Sequence, residues 1–324
     1  MTTLVTGATG LVGNNVVRML RDAGETVRVL VRETSDPRPL AGLDLEVVRG
    51  DVCDTSSVRQ AMAGVAQVVH SAAHVHIGWS ELELQRSVNV EGTRNVAAAA
   101  RDAGAKMVHV SSVDALGLGS KDLPADEDTP REGKLLCSYV VSKRESEQAF
   151  LDEVGHGLEG VIVNPGFMLG PWDWKPSSGR MLLEVKKRFT PFAPKGGCSV
   201  CDVRDVAAGI LAALQRGAAG RSYILAGENV SYLDLWKRIS AITGGSPPIC
   251  RAGPLMRILA GRGGDLLGKL TGREPDVNSA SVRMSDIYNY YSIARAQQEL
   301  GYVVRPLEES IAEAWKWFQA QGYA

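Results

Sequence analysis

Short runs rich in β-branched residues alternate with stretches of helical period through the first half of the chain. Thr2–Thr6 reads as a strand and leads into a helical pattern from Leu11 to Ala23. Thr26–Arg32 and Leu45–Arg49 read as the next two strands, residues 54–63 as a helix, and Gln67–His70 as a fourth strand. A long helix is predicted from about Glu81 to Ala103. Strand Lys106–Ser111, a helix from Ser138 to about Val154 and a buried strand Gly160–Val163 follow. Strands that alternate with helices build βαβ units, and right-handed crossovers wind them into a parallel sheet with helices on both faces. The predicted fold class is therefore α/β, a doubly wound parallel sheet. After Pro171 the alternation breaks and Pro176, Pro191, Pro194, Gly196 and Gly197 interrupt it. Residues 1–171 are expected to form the main domain and 172–324 mainly a smaller C-terminal lobe. A segment at about 203–225, with helical period over Val203–Gln215, is expected to return to the main domain.

The composition changes this picture little. A 324-residue chain with a net charge of −1 is long enough for a domain and a companion lobe. Near-neutral charge offers no bulk attraction to nucleic acid or an anionic membrane. No apolar run approaches the ~20 residues a membrane span needs. Met1 leads directly into the first strand, so no signal peptide is expected and the cytoplasm is the expected location. Five cysteines, an odd number, suit free thiols. Cys198 and Cys201 form a lone CxxC without the second pair a zinc site would want, so they are expected to be two thiols in and beside a buried strand.

The sharpest chemistry sits between the first strand and first helix. Thr6-Gly7-Ala8-Thr9-Gly10-Leu11-Val12-Gly13 has glycines where a tight turn and a close backbone approach need them. The helix N-terminus adds free N–H groups and a positive dipole end, which suits a pyrophosphate. At the start of a βαβ pattern this predicts a Rossmann-type dinucleotide site. Arg32 ends the second strand, where a cation would meet a 2′-phosphate, so NADP(H) is favoured over NAD(H) although Glu33 follows.

Tyr139 and Lys143 lie four residues apart and share one face of a helix. A free tyrosine has a pKa near ~10, and a neighbouring ammonium together with the positive charge of a bound nicotinamide is expected to lower it. A hydroxyl of Ser111-Ser112, at the end of the strand Lys106–Ser111, would complete a triad by binding the reacting oxygen, because α/β sheets place ligands at strand C-termini.

These segments together resemble a known series. TGATGLVG, GDVCD (50–54), HSAA (70–73), NVEGT (89–93), HVSSV (109–113), YVVSK and NPGFMLGP (164–171) resemble, in order, the signatures of the extended short-chain dehydrogenase/reductases. Within them the chain is similar to the dihydroflavonol-reductase-like branch and to bacterial hopanoid-associated sugar epimerase-like proteins, through GENVSY (227–232), GREP (272–275) and WFQAQGY (317–323). The resemblance implies that Gly7, Thr9, Gly10, Leu11 and Val12 line the pyrophosphate and that Arg32 meets the 2′-phosphate. Asp51 and Val52 would hold the adenine, and Ala72 and Ala73 would lie against the cofactor. Tyr139 and Lys143 would meet its ribose end, Pro165 its nicotinamide end. Ser112, Tyr139 and Lys143 would be catalytic, and Asn89 would brace the active-site helix.

His74, His76 and Trp79 follow the fourth strand and are expected to wall the substrate pocket, with loop packing as the equal alternative. His74-Val75-His76 has no partner at metal-ligand spacing, so no metal is expected. Trp172 and Trp174 sit near the expected cleft mouth, where an indole suits a ring-bearing substrate or packs between lobes. Arg273 and Arg283 are expected to face water. The apolar stretch 255–270, broken by Gly261, Gly263 and Gly264, could cap the cleft or dock on a membrane surface, but it is short and glycine-rich for an amphipathic anchor, so a lid or a homodimer contact is expected. Nucleotide-sugar enzymes of this superfamily usually carry an asparagine three residues before the Gly-Pro of Gly170-Pro171, and here that residue is Phe167. The expected function is therefore NAD(P)-dependent interconversion of a ketone and a secondary alcohol on a ring-bearing small molecule. The alternative is a nucleotide-sugar epimerase or dehydratase, and an intact triad argues against a non-catalytic dinucleotide sensor.

Overall fold

A computed structural model describes all 324 residues. The first half runs β1 (Thr2–Thr6), α1 (Leu11–Asp22), β2 (Thr26–Val31), β3 (Glu46–Arg49), α2 (Thr55–Met62), β4 (Gln67–His70), α3 (Leu82–Gln85), α4 (Gly92–Asp102), β5 (Lys106–Val110), α5 (Ser138–Gly155) and β6 (Gly160–Pro165). The second half continues β7 (Phe167–Leu169), α6 (Arg180–Lys187), β8 (Phe192–Ala193), β9 (Gly197–Asp202), α7 (Val203–Arg216), β10 (Ser222–Leu225), β11 (Glu228–Ser231), α8 (Tyr232–Thr243), β12 (Cys250–Arg251), α9 (Pro254–Thr271), α10 (Ser279–Ser285), β13 (Tyr288–Asn289) and α11 (Leu307–Ala320).

Seven strands form one parallel sheet in the order β10-β6-β5-β4-β1-β2-β3. The strand order reverses beside β1, and the crevice at the C-terminal ends of β1 and β4 is where such sheets bind ligands. Side chains alternate across the sheet with period 2, so adjacent residues serve opposite cores. Val5, Val29, Val69, Val108 and Val163 pack with α1 and α7 residues on one face. Leu4, Leu30, Val68, Met107 and Ile162 pack with residues of α2, α4 and α5 on the other. Both strand neighbours being buried is why these strands read as apolar runs rather than as alternating ones. A second sheet, β11-β9-β13 with β7 on β9, covers a separate core that includes Leu182, Leu235, Ile239, Ile311 and Trp315.

The long helix predicted from about Glu81 to Ala103 is helical from Leu82 to Asp102 but not uniform. Glu81 sits in the left-handed region at φ 64°, and Arg86–Glu91 form a π-helical turn between α3 and α4. The wider turn places Asn89 inward, where it is buried. Strand β6 also runs on to Pro165, two residues beyond the predicted end. The glycine-broken stretch after Pro254 is an unbroken helix of 18 residues. No helix is long and apolar enough to cross a membrane.

Candidate active site

The turn between β1 and α1 is fixed by glycine where nothing else fits. Gly7 has φ 70°, and a Cβ there would stand 2.6 Å from the backbone of Ser71 and Ala72. A Cβ on Gly13 would stand 2.3 Å from the Gly7 carbonyl, so helix and strand touch. A Cβ on Gly10 would meet only the Gly7 carbonyl oxygen, at 3.4 Å. Gly10 caps α1 without a side-chain hydrogen bond, and the first turn holds no acid. The turn thus presents uncapped N–H donors and a positive helix end with no competing carboxylate, which fits an anionic pyrophosphate. Thr9, Leu11 and Val12 belong to this turn, and Ala72 lies against it through Gly7. Asp51 and Val52 follow β3, and the Asp51 carboxylate accepts the Cys53 N–H at 2.9 Å. Arg32 is exposed just past β2, and the Arg49 guanidinium of the adjacent strand donates to its carbonyl at 3.3 Å. Pro165 ends β6 beside β5, and Ala73 continues the segment after β4.

At the same end of the sheet, α5 brings Tyr139 and Lys143 toward Ser112. Both helix residues are buried. Lys143 Nζ donates to the Val110 carbonyl at 3.1 Å. Burial pulls its ammonium down to about 8, with Glu147 and Asp114 pulling the other way. Burial and then the Asp114 carboxylate push the Tyr139 phenol far above its ordinary value, and Ser112 draws it partly back. The expectation that Lys143 lowers the phenol is therefore corrected for the chain by itself: desolvation and a neighbouring acid keep Tyr139 protonated.

Residues far apart in sequence hold the region around Ser112, Tyr139 and Lys143. Asn164 Nδ2 donates to the Ser112 carbonyl at 3.0 Å and to the buried Glu147 carboxylate at 2.7 Å. The buried Lys134 lies 3.3 Å from Asp114 and donates at 2.6 Å to both the Val113 carbonyl and the Tyr291 hydroxyl. Asn89 accepts the His74 N–H at 2.7 Å and donates to the His74 carbonyl at 3.0 Å and to the Ser142 hydroxyl at 3.1 Å. It thereby ties the residue beside Lys143 to the segment after β4.

A buried chain of hydrogen bonds runs from the glycine turn to the same place. Thr93 donates to the Asn89 carbonyl, so it accepts from His70 Nε2 at 3.0 Å. His70 Nδ1 then accepts from the Thr6 hydroxyl at 2.7 Å, which itself accepts the Ala72 N–H at 3.4 Å. Each hydroxyl donates once and accepts once, and the histidine is neutral. Burial, with help from Lys143, drives His70 down to about 3, and His109, stacked 5.6 Å away, also falls well below its ordinary value.

The candidate specificity residues divide. His74 pairs with Glu81 at 2.7 Å, and His76 with Glu274 at 3.0 Å. Glu274 also accepts the N–H groups of Trp79 and Ser80, while the Trp79 indole donates to Ser279 at 2.8 Å. His76 and Trp79 thus bind this loop to residues 274–279, whereas the His74 ring pairs within the loop itself. Burial acts to raise the Glu274 carboxyl, but hydrogen bonds from His76, Ser80 and the two N–H groups hold it down at about 2. Phe167, half-buried in β7, packs on the second core. Trp172, read from sequence as a cleft-mouth indole or as packing between lobes, takes the packing role. The Arg18 guanidinium lies 3.4 Å from its ring centroid, and Trp174 and Trp317 lie 6.2 and 6.1 Å away. Its ring is spent on packing the C-terminal helix against α1. Arg273 and Arg283 are exposed. Cys198 and Cys201 lie in β9, and burial raises both thiols, Cys198 to about 12. No group of three or more His, Cys, Asp or Glu side chains is placed to hold a metal ion.

A pocket of about 240 Å³ is lined by Gly133, Lys134, Leu135, Leu136, Arg283 and Ile287. Leu135 and Ile287 also pack on the cluster that buries Tyr139. Another depression, lined by Asp126, Glu127, Arg221, Arg295 and Glu299 among others, shares no residue with that cluster.

Residues 3–226 match the model of the NAD dependent epimerase/dehydratase family. A putative dihydroflavonol 4-reductase of a Synechocystis strain is 40% identical over 98% of this chain and 95% of its own length. Sterol demethylase protein B of Methylococcus capsulatus is 35% identical over 99% of each. The crystal structure of a nucleoside-diphosphate-sugar epimerase from Pseudomonas aeruginosa superposes with a TM-score of 0.81 at 27% identity, covering 100% of this chain and 99% of that one. With a matching parallel sheet and glycine turn, the chain belongs to the NAD-dependent epimerase/dehydratase family and is an NAD(P)-dependent oxidoreductase.

Proposed function

We propose that the protein interconverts a ketone and a secondary alcohol on a ring-bearing, largely apolar small molecule, with Ser112, Tyr139 and Lys143 as its catalytic residues. The observation that carries this is the lining around the phenol. Tyr139 shares a buried cluster with Cys137, Val140, Ala280 and Met284, packed by Ile77, Leu135 and Ile287. An apolar wall with one acid–base group and few other polar atoms suits a hydrophobic carbonyl compound. When bound at the glycine turn, the nicotinamide dinucleotide supplies or takes up hydride. Tyr139 supplies the hydroxyl proton, and the raised phenol suits donation to a nascent alkoxide. Ser112 orients the carbonyl oxygen, and Lys143 holds positive charge beside the ribose. Arg32, with Arg49 beside it, supports a preference for NADP(H), because two guanidinium groups suit a 2′-phosphate. The relatives named a reductase and a sterol-processing protein support the same substrate character. The experiment is a screen of ring-bearing ketones and alcohols with NADPH or NADP⁺, read by nicotinamide absorbance. Net cofactor turnover with at least one such compound is expected.

The second reading, a nucleotide-sugar epimerase, draws on the family and on the exposed Arg283 at the pocket rim, which suits a diphosphate. Phe167 weighs against it, since a phenyl ring leaves a polar sugar-nucleotide group unpaired at a cost of about 1–3 kcal/mol. Micromolar binding of a UDP-, GDP- or dTDP-sugar, with epimer interconversion and no net cofactor reduction, would replace the first reading with this one.

A further inference from the structure

Helix α9 is amphipathic with its faces reversed. Three of its glycines, Gly261, Gly264 and Gly268, point inward and its leucines point outward. A Cβ on Gly264 would stand 1.8 Å from the Val277 carbonyl oxygen, one on Gly261 3.0 Å from Ser279 Cα, and one on Gly268 3.3 Å from Pro275. The helix therefore lies close on the segment 274–279 through a glycine seam. The opposite side carries Leu255, Leu259, Leu266 and Leu270, which are between 59% and 77% exposed. At helical spacing these four form one ridge, and Gly263, with nothing within 4 Å of its Cβ position, lies on that outer side. Single exposed leucines are ordinary on a protein surface, but a row on one face is not.

The charges around the ridge have one sign. From Cys250 to Arg273 the chain holds five basic residues, Arg251, Arg257, Arg262, Lys269 and Arg273, and one acid, Asp265. Arg257 turns inward to Asp286. Asp265 turns inward as well and accepts the Ser279 N–H at 2.9 Å. That leaves Arg262 and Lys269, seven residues apart, along one flank of the leucines. Beside the N-terminal end of α9, the β8–β12 ribbon adds the exposed Phe192, Ile249 and Arg251. A leucine ridge flanked by guanidinium and ammonium groups is the composition of a helix that lies in a lipid interface. Each such cation near an anionic surface favours binding. A second copy of the chain fits less well, because a two-fold contact through this face would set the same cations against each other. The overall charge of −1 does not oppose this, since the attraction acts within a Debye length and depends on the local patch.

We propose that the outer face of α9 docks the protein on an anionic bilayer surface, without spanning it. The position has a consequence for the cleft. Helix α9 packs on α10, and Ala280 and Met284 of α10 lie in the cluster around Tyr139. The docked face is thus one helix away from the phenol. If the apolar-substrate reading above holds, a lipid-dissolved substrate has a short path to it, but docking itself does not depend on that reading.

The test is flotation of the full-length protein with vesicles of phosphatidylcholine alone and of phosphatidylcholine with phosphatidylglycerol. The wild type is expected to float with the phosphatidylglycerol vesicles and to be released by high salt. Leu259→Glu/Leu266→Glu should lose binding to both, and Arg262→Glu/Lys269→Glu should lose roughly ten-fold or more of the anionic preference. All four positions are exposed, so an unchanged thermal midpoint verifies folding. Tyr139→Phe should float like the wild type, which separates docking from the catalytic assignment. Equal flotation with both lipids, or unimpaired flotation of Leu259→Glu/Leu266→Glu, overturns the proposal. So does a dimer in sedimentation velocity that the leucine variant splits while the wild type binds no vesicle, which would give the face to a second copy.

Discussion

At the scale of single residues, the reactive groups are set by what surrounds them. Tyr139 is buried beside Asp114, so the unliganded enzyme holds its proton well past neutral pH. Tyr139→Phe should therefore lower kcat by about 10²–10⁴-fold while leaving the cofactor Kd within a few-fold, since the ring stays and only the acid is lost. Fluorescence titration with NADPH and initial rates on the substrate found by screening check both halves; an unchanged rate would remove Tyr139 from the chemistry. Lys143 titrates at about 8, so its positive charge fades as pH rises through that value. The same rates should then fall on the alkaline side with an apparent pKa near it. Arg32 is exposed just past β2, where the proposed 2′-phosphate contact would be made. Arg32→Ala should weaken NADPH by about 1.5–3 kcal/mol and leave NADH nearly unchanged, as measured by calorimetry. Equal wild-type affinities for the two cofactors would refute the preference. That Ser112, Tyr139 and Lys143 come together was legible in the sequence, because YxxxK spacing and a strand-terminal serine are local patterns. The raised phenol was not, because Asp114 acts through space and burial has no local signature.

At the scale of elements, six of the seven strands of the large sheet were legible to within two residues, most of them as short apolar runs, whereas β10 was read only as part of a segment returning to the main domain. The π turn at Arg86–Glu91 was not, because helical period survives one inserted residue. That turn matters, since it carries Asn89 to Ser142 and His74. The polar chain Thr6–His70–Thr93–Asn89 was hidden too. Its members come from two strands and two helical turns, and only folding brings them into register. His70 was visible merely as part of HSAA. Its neutrality has a measurable sign. Its folded pKa of about 3 lies below the unfolded value, so between these values the unfolded chain binds the extra proton. Stability must then fall as pH drops from about 6.5 toward 3, by about 1.4 kcal/mol per pH unit for each such histidine. His109 adds to the slope in the same direction. Urea unfolding at pH 7 and pH 5 should show the loss in the wild type. His70→Gln, which keeps a donor and an acceptor but cannot take up a proton, should reduce the slope by about one histidine's share. An identical slope in both proteins would mean that His70 does not stay neutral in the fold.

At the scale of the whole molecule, the late segments cross back over the early ones, and here sequence reading had least to work with. Trp172 read either as a cleft-mouth indole or as packing between lobes, because it follows the NPGFMLGP segment. Only the folded chain shows Arg18 and Trp317 claiming its ring. Lys134 and Tyr291 brace the Ser112 turn from positions 157 residues apart, with no spacing to announce the pair. The same long-range closure joins the two sides of the cleft at Glu274. This carboxylate sits between α9 and α10 and takes hydrogen bonds from His76, Trp79 and Ser80, a loop nearly two hundred residues earlier. Its carboxyl is held at about 2 and stays ionised at any pH near neutral, so the clasp does not loosen until strongly acid conditions. Charged hydrogen bonds of this kind are worth about 1.5–3 kcal/mol. Glu274→Ala should release the α9–α10 hairpin from the loop while leaving both cores intact, because neither core includes residue 274. Amide hydrogen exchange over residues 76–80 and 274–280 should then accelerate by roughly thirty-fold, the factor for about 2 kcal/mol, with the strands of the large sheet unchanged. Because Ala280 and Met284 of the freed hairpin touch the Tyr139 cluster, KM for an apolar substrate should rise more than kcat falls. Exchange that stays at the wild-type rate over both segments would show that the hairpin is held by its apolar contacts alone and that Glu274 is not the clasp.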